Sequence, residues 1–409
     1  MDSLPQVENP LTQAATLEAP PPGPGLRIMM VAGERSGDIY GAALARTLAA
    51  RAPDVEIFGC GGDAMRDADV DTLVDAHRIA VAGITEVIGG MTRVYRAFHR
   101  LLEEADRRRP AVAVLIDFPD FNLRLAKKLK QRGIPVVYFV SPQVWAWRQG
   151  RVQQLKRCVA KMIVIFDFEE EIYRSAGVPV EYVGHPLVDM ARARQIRAEF
   201  FSGLWLDPAV PTIALLPGSR MKEVTANLPL MLGAAVRLAE KRQLQFVVAA
   251  APTIDSHWLQ GEMVNAGAGN VQVRTAVNAT YDVLEYTDVA VVTSGTATLE
   301  AAIHERPMVV VYRVSGLTWL VGKALVKVPY YSIVNILAQR ELVPELMQQD
   351  FTVANVVDRV GYLLDHPEAQ EEMVRGFRDI RRRLGRGGAI ERAAGAILAV
   401  APTPGRSPR

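Results

Sequence analysis

"VLIDFPDFNLRLAKKLKQRG", residues 114–133, decides how this chain is read. Its start extends Val112 and Ala113 into an unbroken apolar run to Ile116, the pattern of a strand covered on both faces. A basic run with apolar residues at helical spacing follows, and it predicts a helix from Asn122 to Arg132. A strand that leads at once into a helix is the repeating unit of a parallel sheet. Between the two lie a proline and two carboxylates, Asp117 and Asp120. Ligands of such sheets bind outside the carboxyl ends of the strands, so these acids are candidates for chemistry.

The same alternation recurs on both sides of this stretch. "RIMMVAG" and "VEIFGCGG" precede it and "PVVYFV" and "MIVIF" follow it as short buried strands, with a helix from Tyr40 to Ala50. The pattern lapses over residues 187–210 and restarts with "TIALLPGSR", "QFVVAAAP", "VQVRTA", "DVAVVTSGT" and "PMVVVYRV". The expected fold class is α/β: two Rossmann-like, doubly wound domains facing a cleft, with C-terminal helices. The first domain is expected over residues 26–190, the second over 210–352 and the helices over 353–400. The ends, 1–25 with "EAPPPGPG" and 401–409, read as disordered tails, because chain so dense in Pro and Gly buries too little apolar surface to offset its ordering entropy.

Composition narrows the function classes. Lys and Arg number 47 against 45 Asp and Glu, so a net charge of +2 gives no reason to expect a nucleic-acid partner. Cys60 and Cys158 lie far apart without metal-type spacing, which suits a reducing cytoplasm. No stretch approaches the ~20 apolar residues of a membrane span, and the first 25 residues do not have the form of a signal peptide, so neither export nor a bilayer crossing is expected. The six histidines, 77, 99, 185, 257, 304 and 366, are scattered, and none of the candidate phosphate-binding loops carries a D-x-D motif, so neither a metal site nor a cofactor is expected. A serine-hydrolase elbow, G-x-S-x-G, does not occur.

Four further segments are candidates, each with a structural alternative. In "GERSGD", Gly33 and Gly37 permit a tight turn while Ser36 or Asp38 caps the next helix or meets substrate. In "LPGSR", Arg220 at a helix start either clamps phosphate beside backbone N–H groups or is a surface arginine. "TSGTATLE" ends a strand; Ser294 to Thr298 offer donors to a diphosphate, and Glu300, one residue too far for a capping box, suits the hydroxyls of a ribose. In "NILAQRELVPELMQ", Asn335, Gln339, Arg340 and Glu341 interrupt an apolar periodic run and are either ligand contacts or helix surface.

Taken together, "GERSGD", "GITEVI", "IDFPDFN", "SPQVWAWRQGRV", "VGHPLVD", "LPGSR", "TSGTATLE" and "NILAQRELVPEL", in this order over residues 27–350, resemble the lipid A disaccharide synthase family of B-type (GT-B) glycosyltransferases. The resemblance implies transfer of 2,3-diacylglucosamine from its UDP donor to 2,3-diacylglucosamine 1-phosphate (lipid X), forming a β(1→6) disaccharide at the cytoplasmic face of a Gram-negative inner membrane. By this resemblance Asp117 matches the family's catalytic aspartate, and Arg220, Glu300, Asn335 and Arg340 match its donor UDP contacts. Gly218, Ser219, Ser294, Gly295, Thr296, Ala297, Thr298 and Gln339 complete the expected donor site. Glu34, Ser36, Gly37, Asp38, Asn122, Trp145 and Arg148 form the expected acceptor site.

The chemistry fits one carboxylate. Making a β bond from an α-linked UDP sugar inverts the anomeric centre, which requires a single base opposite the departing UDP; Asp117 takes that role and Asp120 a structural one, as a helix cap. A lipid substrate fits the stripe Ile84, Val87, Ile88 and Met91 within "GITEVIGGM", expected to bind acyl chains or an anionic membrane surface, while Val94 to Leu102 reads as an ordinary packed helix. Three positions or segments depart from the family pattern: Arg35 where a small or hydroxyl residue is usual, Asp167 where proline is common, and a longer proline-rich N-terminal extension. The terminal helices either cross back to the first domain or exchange between subunits of a homodimer. Rival readings are another UDP-sugar enzyme of this build, such as a peptidoglycan transferase or a UDP-N-acetylglucosamine 2-epimerase, and a non-catalytic nucleotide-binding protein that docks on membranes.

Overall fold

The apolar runs assemble into two all-parallel sheets in the computed structural model, which describes residues 25–76, 79, 87–142, 150–251, 254–313 and 329–401. The first sheet contains β1 (Arg27–Ala32), β2 (Glu56–Gly61), β3 (Asp71–Asp75), β4 (Val112–Ile116), β5 (Val136–Phe139), β6 (Lys161–Val164) and β7 (Val180–Tyr182), in the order β3-β2-β1-β4-β5-β6-β7. The second contains β8 (Thr212–Leu216), β9 (Gln245–Ala250), β10 (Val273–Val277), β11 (Val289–Thr293), β12 (Met308–Tyr312) and β13 (Glu345–Met347), in the order β10-β9-β8-β11-β12-β13. The fold is α/β with two doubly wound sheets, as the alternation requires.

Strand order reverses between β1 and β4 in one sheet and between β8 and β11 in the other. Helices diverge to opposite faces at such a reversal and leave a crevice at the strand ends. Ala32 pairs in register with Ile116, so the loops that begin at Gly33 and Asp117 leave the first sheet side by side. "LPGSR" and "TSGTATLE" leave the second sheet at its own reversal. All five residues of β4 are fully buried, which is why its run carries no polar alternation.

Helix boundaries differ from the sequence expectation for local reasons. The helix after β4 spans Pro119–Gln131 and starts three residues before Asn122, because a proline at its first position needs no hydrogen-bond partner there. Asp120 therefore lies within the first turn and is not the cap; its carboxylate pairs with Arg151 at 2.6 Å. The helix expected from Tyr40 spans Arg35–Arg51, so "GERSGD" is mostly helix start. The helix Val87–Arg108 buries Ala97, Leu101, Leu102 and Ala105 and leaves Tyr95 exposed, as expected for a packed helix with one wet face. Val87, Ile88 and Met91 belong to this helix, and Ile84 lies outside the described residues.

The last of the C-terminal helices returns to the first half within the same chain. Val353–Asp365 packs on Met221–Ala239, Pro367–Arg383 packs on Thr296–Ile303, and Ala389–Leu398 packs on Arg35–Arg51. The crossing is hydrogen-bonded: Tyr182 donates its hydroxyl to the Arg383 carbonyl at 2.7 Å, the His185 amide donates to Leu384 at 2.8 Å, and Arg392 donates to the Val183 carbonyl at 2.6 Å. Asp167 opens the helix Asp167–Ser175 and forms a 3.3 Å ion pair with Arg383. One buried cluster runs from the inner face of the first sheet through these helices into the second sheet. Among the described residues no helix is long and apolar enough to cross a membrane.

Candidate active site

Asp117 and Phe118 both have left-handed backbone, with φ of 46° and 50°. Non-glycine residues avoid this region, so surrounding structure must hold them in it. The Asp117 amide donates to Phe139 at 3.0 Å, while its carbonyl accepts from the Tyr138 hydroxyl at 2.6 Å and from the Asn122 side chain at 2.8 Å. Gly33 completes the hold, since a Cβ there would stand 2.2 Å from the Phe118 ring. The glycine that opens "GERSGD" thus makes room for the loop that carries Asp117. Burial, then the charge of Glu34, push the Asp117 carboxyl up to about 7, against a lowering backbone hydrogen bond at Phe118. An acid that titrates near neutrality at a strand end is suited to proton transfer.

The second half presents Arg220 and the "TSGTATLE" turn. Gly218, at φ 121°, takes a backbone conformation that a side chain would strain. Glu223 then turns back so that its carboxylate accepts from the Ser219 and Arg220 amides at 3.2 and 3.3 Å and pairs with the Arg220 guanidinium at 3.0 Å. It occupies the helix start where an incoming phosphate would bind. Arg220 also reaches Glu34 of the first half at 3.2 Å, which brings the two candidate loops together. Nothing marked Glu223 in the sequence beyond an acid three residues into a helix.

Ser294, Gly295, Thr296 and Ala297 are accessible at the turn, whereas Thr298 is fully buried and its hydroxyl donates to the Gly295 carbonyl at 2.8 Å. Thr298 holds the turn and is not a ligand contact. Burial raises the Glu300 carboxyl to about 7, while the Tyr281 hydroxyl, donating at 3.3 Å, and the nearby charge of Arg35 oppose that rise. Tyr281 had no sequence signal. Arg35 therefore faces the second half of the molecule.

Several expected contacts are structural. The Asp38 carboxylate accepts from the amides of Gly62, Ala64 and Met65 at 2.6, 3.0 and 3.1 Å and caps the short helix Asp63–Arg66, which leaves it turned from the cleft. Gly37 is buried, and a Cβ there would sit 3.4 Å from Ala32, so it sets how closely helix approaches sheet. Asn122 is fully buried, and its amide donates to the carbonyls of Ile116 and Asp117; it braces the strand end and does not meet an acceptor. Asn335 is also fully buried: it accepts from the Leu342 and Val343 amides at 2.8 and 2.9 Å and donates to the Val343 carbonyl and Glu345 at 2.8 and 2.9 Å. Its hydrogen-bonding capacity is spent, so it locks the loop and cannot read a nucleotide. Gln339 ends the helix Ile333–Ala338 in left-handed backbone, and Arg340 is exposed and pairs with Glu372 at 2.9 Å. Glu34 is exposed and Ser36 half-buried beside the cleft, while Trp145 and Arg148 lie outside the described residues. Among the described residues no three His, Cys, Asp or Glu side chains are grouped to hold a metal ion.

Two parallel lobes with these loops at their facing reversals suit a nucleotide-sugar enzyme, and comparison with known proteins decides which one. A family model described as lipid-A-disaccharide synthetase matches residues 28–394. This chain belongs to the lipid-A-disaccharide synthase family. The lipid-A-disaccharide synthase of Myxococcus xanthus is 46% identical over 381 residues, covering 93% of this chain and 98% of that protein. That of Koribacter versatilis is 44% identical, covering 92% and 99%. Membership makes the protein a GT-B glycosyltransferase of lipid A biosynthesis and sets aside the rival readings. Solved structures share the fold at low identity. The UDP-GlcNAc 2-epimerase of Neisseria meningitidis superposes with a TM-score of 0.63 at 11% identity, covering 91% of this chain and all (100%) of that one. MurG of Acinetobacter baumannii gives 0.56 at 11%, covering 91% and 99%.

Proposed function

We propose that this protein is an inverting, metal-independent glycosyltransferase that moves 2,3-diacylglucosamine from UDP to the 6′-hydroxyl of lipid X, releasing UDP. The observation that carries the reading is Asp117, a carboxyl titrating near 7 in a strained turn beside Glu34, which itself pairs with Arg220 of the opposite half. Asp117 accepts the acceptor hydroxyl proton as that oxygen bonds to the anomeric carbon, and the bond from that carbon to the diphosphate oxygen breaks on the opposite face. General-base help of this kind contributes about 10²–10⁴ in rate. Arg220 and the amides of residues 294–297 receive the charge that develops on the diphosphate. Glu300 accepts the ribose hydroxyls.

The substrates are amphiphiles, and we place the enzyme at the inner face of the inner membrane. Exposed Arg93, Tyr95, Arg96, His99 and Arg100 on one helix support attraction to an anionic surface. Ile84, Val87, Ile88 and Met91 remain the proposed acyl-contacting residues, with Trp145 and Arg148 at the acceptor phosphate. The test is incubation with UDP-2,3-diacylglucosamine and lipid X, with and without chelator, following UDP and disaccharide. Equal product in both arms supports the reading. Loss of product with chelator contradicts metal independence, and UDP release only with soluble acceptors contradicts the acceptor assignment.

A further inference from the structure

Two neighbouring helices of the second half bring Glu300 against a side chain that the proposed reaction does not use. Helix Thr280–Tyr286 carries Tyr281 and Glu285, and helix Thr296–Ile303 with its cap carries Glu300 and His304, each pair at the i, i+4 spacing that shares one helix face. The two faces meet. The Tyr281 hydroxyl donates to Glu300 Oε1 at 3.3 Å, and His304 Nδ1 meets Glu285 Oε2 at 2.7 Å. Facing a carboxylate, Nδ1 carries the proton and donates. Between these two bonds the rings of Tyr281 and His304 stack, 25° from parallel with centroids 5.8 Å apart. The His304 side chain is only 3% exposed, so the surface under the Tyr281 ring is packed in place.

A glutamate side chain left to itself samples several rotamers, and ordering it on a ligand costs entropy. Here Oε1 is already held. Among the described residues no group bonds to Oε2, and Oε2 is not one of the polar atoms sealed from solvent. One oxygen of the carboxylate is thus anchored while the other is left to a ligand. We propose that Tyr281 is a positioning residue, which holds the Glu300 carboxylate toward the ribose of the donor nucleotide and so sets the preference for a ribose over a deoxyribose. A carboxylate only accepts, and a ribose offers two adjacent hydroxyl donors where a deoxyribose offers one. The inference rests on the assignment of Glu300 to the ribose above.

Tyr281→Phe removes only the hydroxyl and keeps the stacked ring, while Glu300→Ala removes the carboxylate itself. Wild type and both variants are titrated with UDP, 2′-deoxy-UDP and 3′-deoxy-UDP, and each protein is melted. Wild type is expected to prefer UDP over at least one deoxy form by about tenfold, and Glu300→Ala to show no such preference. Tyr281→Phe is expected to lose about threefold or more of that preference while melting near the wild-type temperature. A wild-type preference in Tyr281→Phe overturns the inference, and so does an equal loss of affinity for all three nucleotides, which is what general loosening of the site produces. A Glu300→Ala variant that keeps the wild-type preference would instead overturn the assignment of Glu300 to the ribose, and wild-type protein that binds no UDP would overturn the functional reading itself.

Discussion

Arg220 of the second half binds Glu34 of the first at 3.2 Å, and Glu34 is also the charge that raises Asp117. One exposed ion pair therefore connects the expected diphosphate clamp to the expected base. With side chains 64% and 44% exposed, it is worth at most about 1 kcal/mol, so a diphosphate with two or more charges readily displaces Glu34 from Arg220. Glu34→Gln is expected to leave thermal stability nearly unchanged and to tighten UDP binding severalfold, by freeing the guanidinium. Because the Glu34 charge raises the Asp117 pKa, its removal shifts the acidic limb of the kcat/KM profile to lower pH. A titration of UDP and a pH–rate series check both effects.

Gly33 and Phe118 are coupled by space. Gly33→Ala places a methyl group where the Phe118 ring lies, 2.2 Å away, and the ring must shift and carry Asp117 with it. Turnover is expected to fall about a hundredfold or more, since misplacement of a catalytic group by about 1 Å costs that much. Adding Phe118→Ala should restore part of the rate by vacating the ring's space. Steady-state kinetics on the single and double variants give the answer; no recovery in the double variant would exclude steric coupling.

Asn335→Ala deletes hydrogen bonds to Leu342, Val343 and Glu345 inside the protein. Leaving several buried groups unpaired is expected to cost about 3 kcal/mol. Denaturant unfolding should show this loss, and folded protein at low temperature should still bind UDP. Normal stability with abolished UDP binding would restore Asn335 to the donor site.

Glu300 has a folded-state pKa raised to about 7, mainly by burial, from an ordinary value of 4.5. Its ionised form is therefore disfavoured in the fold, and stability falls as pH rises from about 4.5 through 7. Glu300→Gln removes this decline: it should melt higher than wild type at pH 8, by on the order of 2 kcal/mol, and equally at pH 4. It should also weaken UDP binding about tenfold by replacing a charged acceptor. Melting curves at the two pH values test the sign.

β4 was legible to the residue because a strand covered on both faces is written as uninterrupted apolar sequence. β3, β7 and β13, "DTLVD", "VEY" and "ELM", passed unnoticed because short edge strands need only one or two apolar residues each. The candidate loops were legible as loops, since glycines and hydroxyl residues punctuate them. The direction in which a polar side chain points was not. Asp38, Asn122, Thr298 and Asn335 sit in candidate motifs just as Glu34 and Arg220 do, yet they turn to backbone groups, and spacing alone does not distinguish a brace from a contact. Neither could sequence pair Glu34 with Arg220, which are 186 positions apart, or bring the last helix back onto the first.

The central claim is that Asp117 takes the acceptor proton, and turnover of Asp117→Asn, measured beside its affinity for UDP, tests it most directly. Asparagine keeps the shape and removes the basicity. The expected result is a rate lower by about 10²–10⁴ with UDP affinity nearly unchanged. A variant that forms disaccharide at the wild-type rate would contradict it.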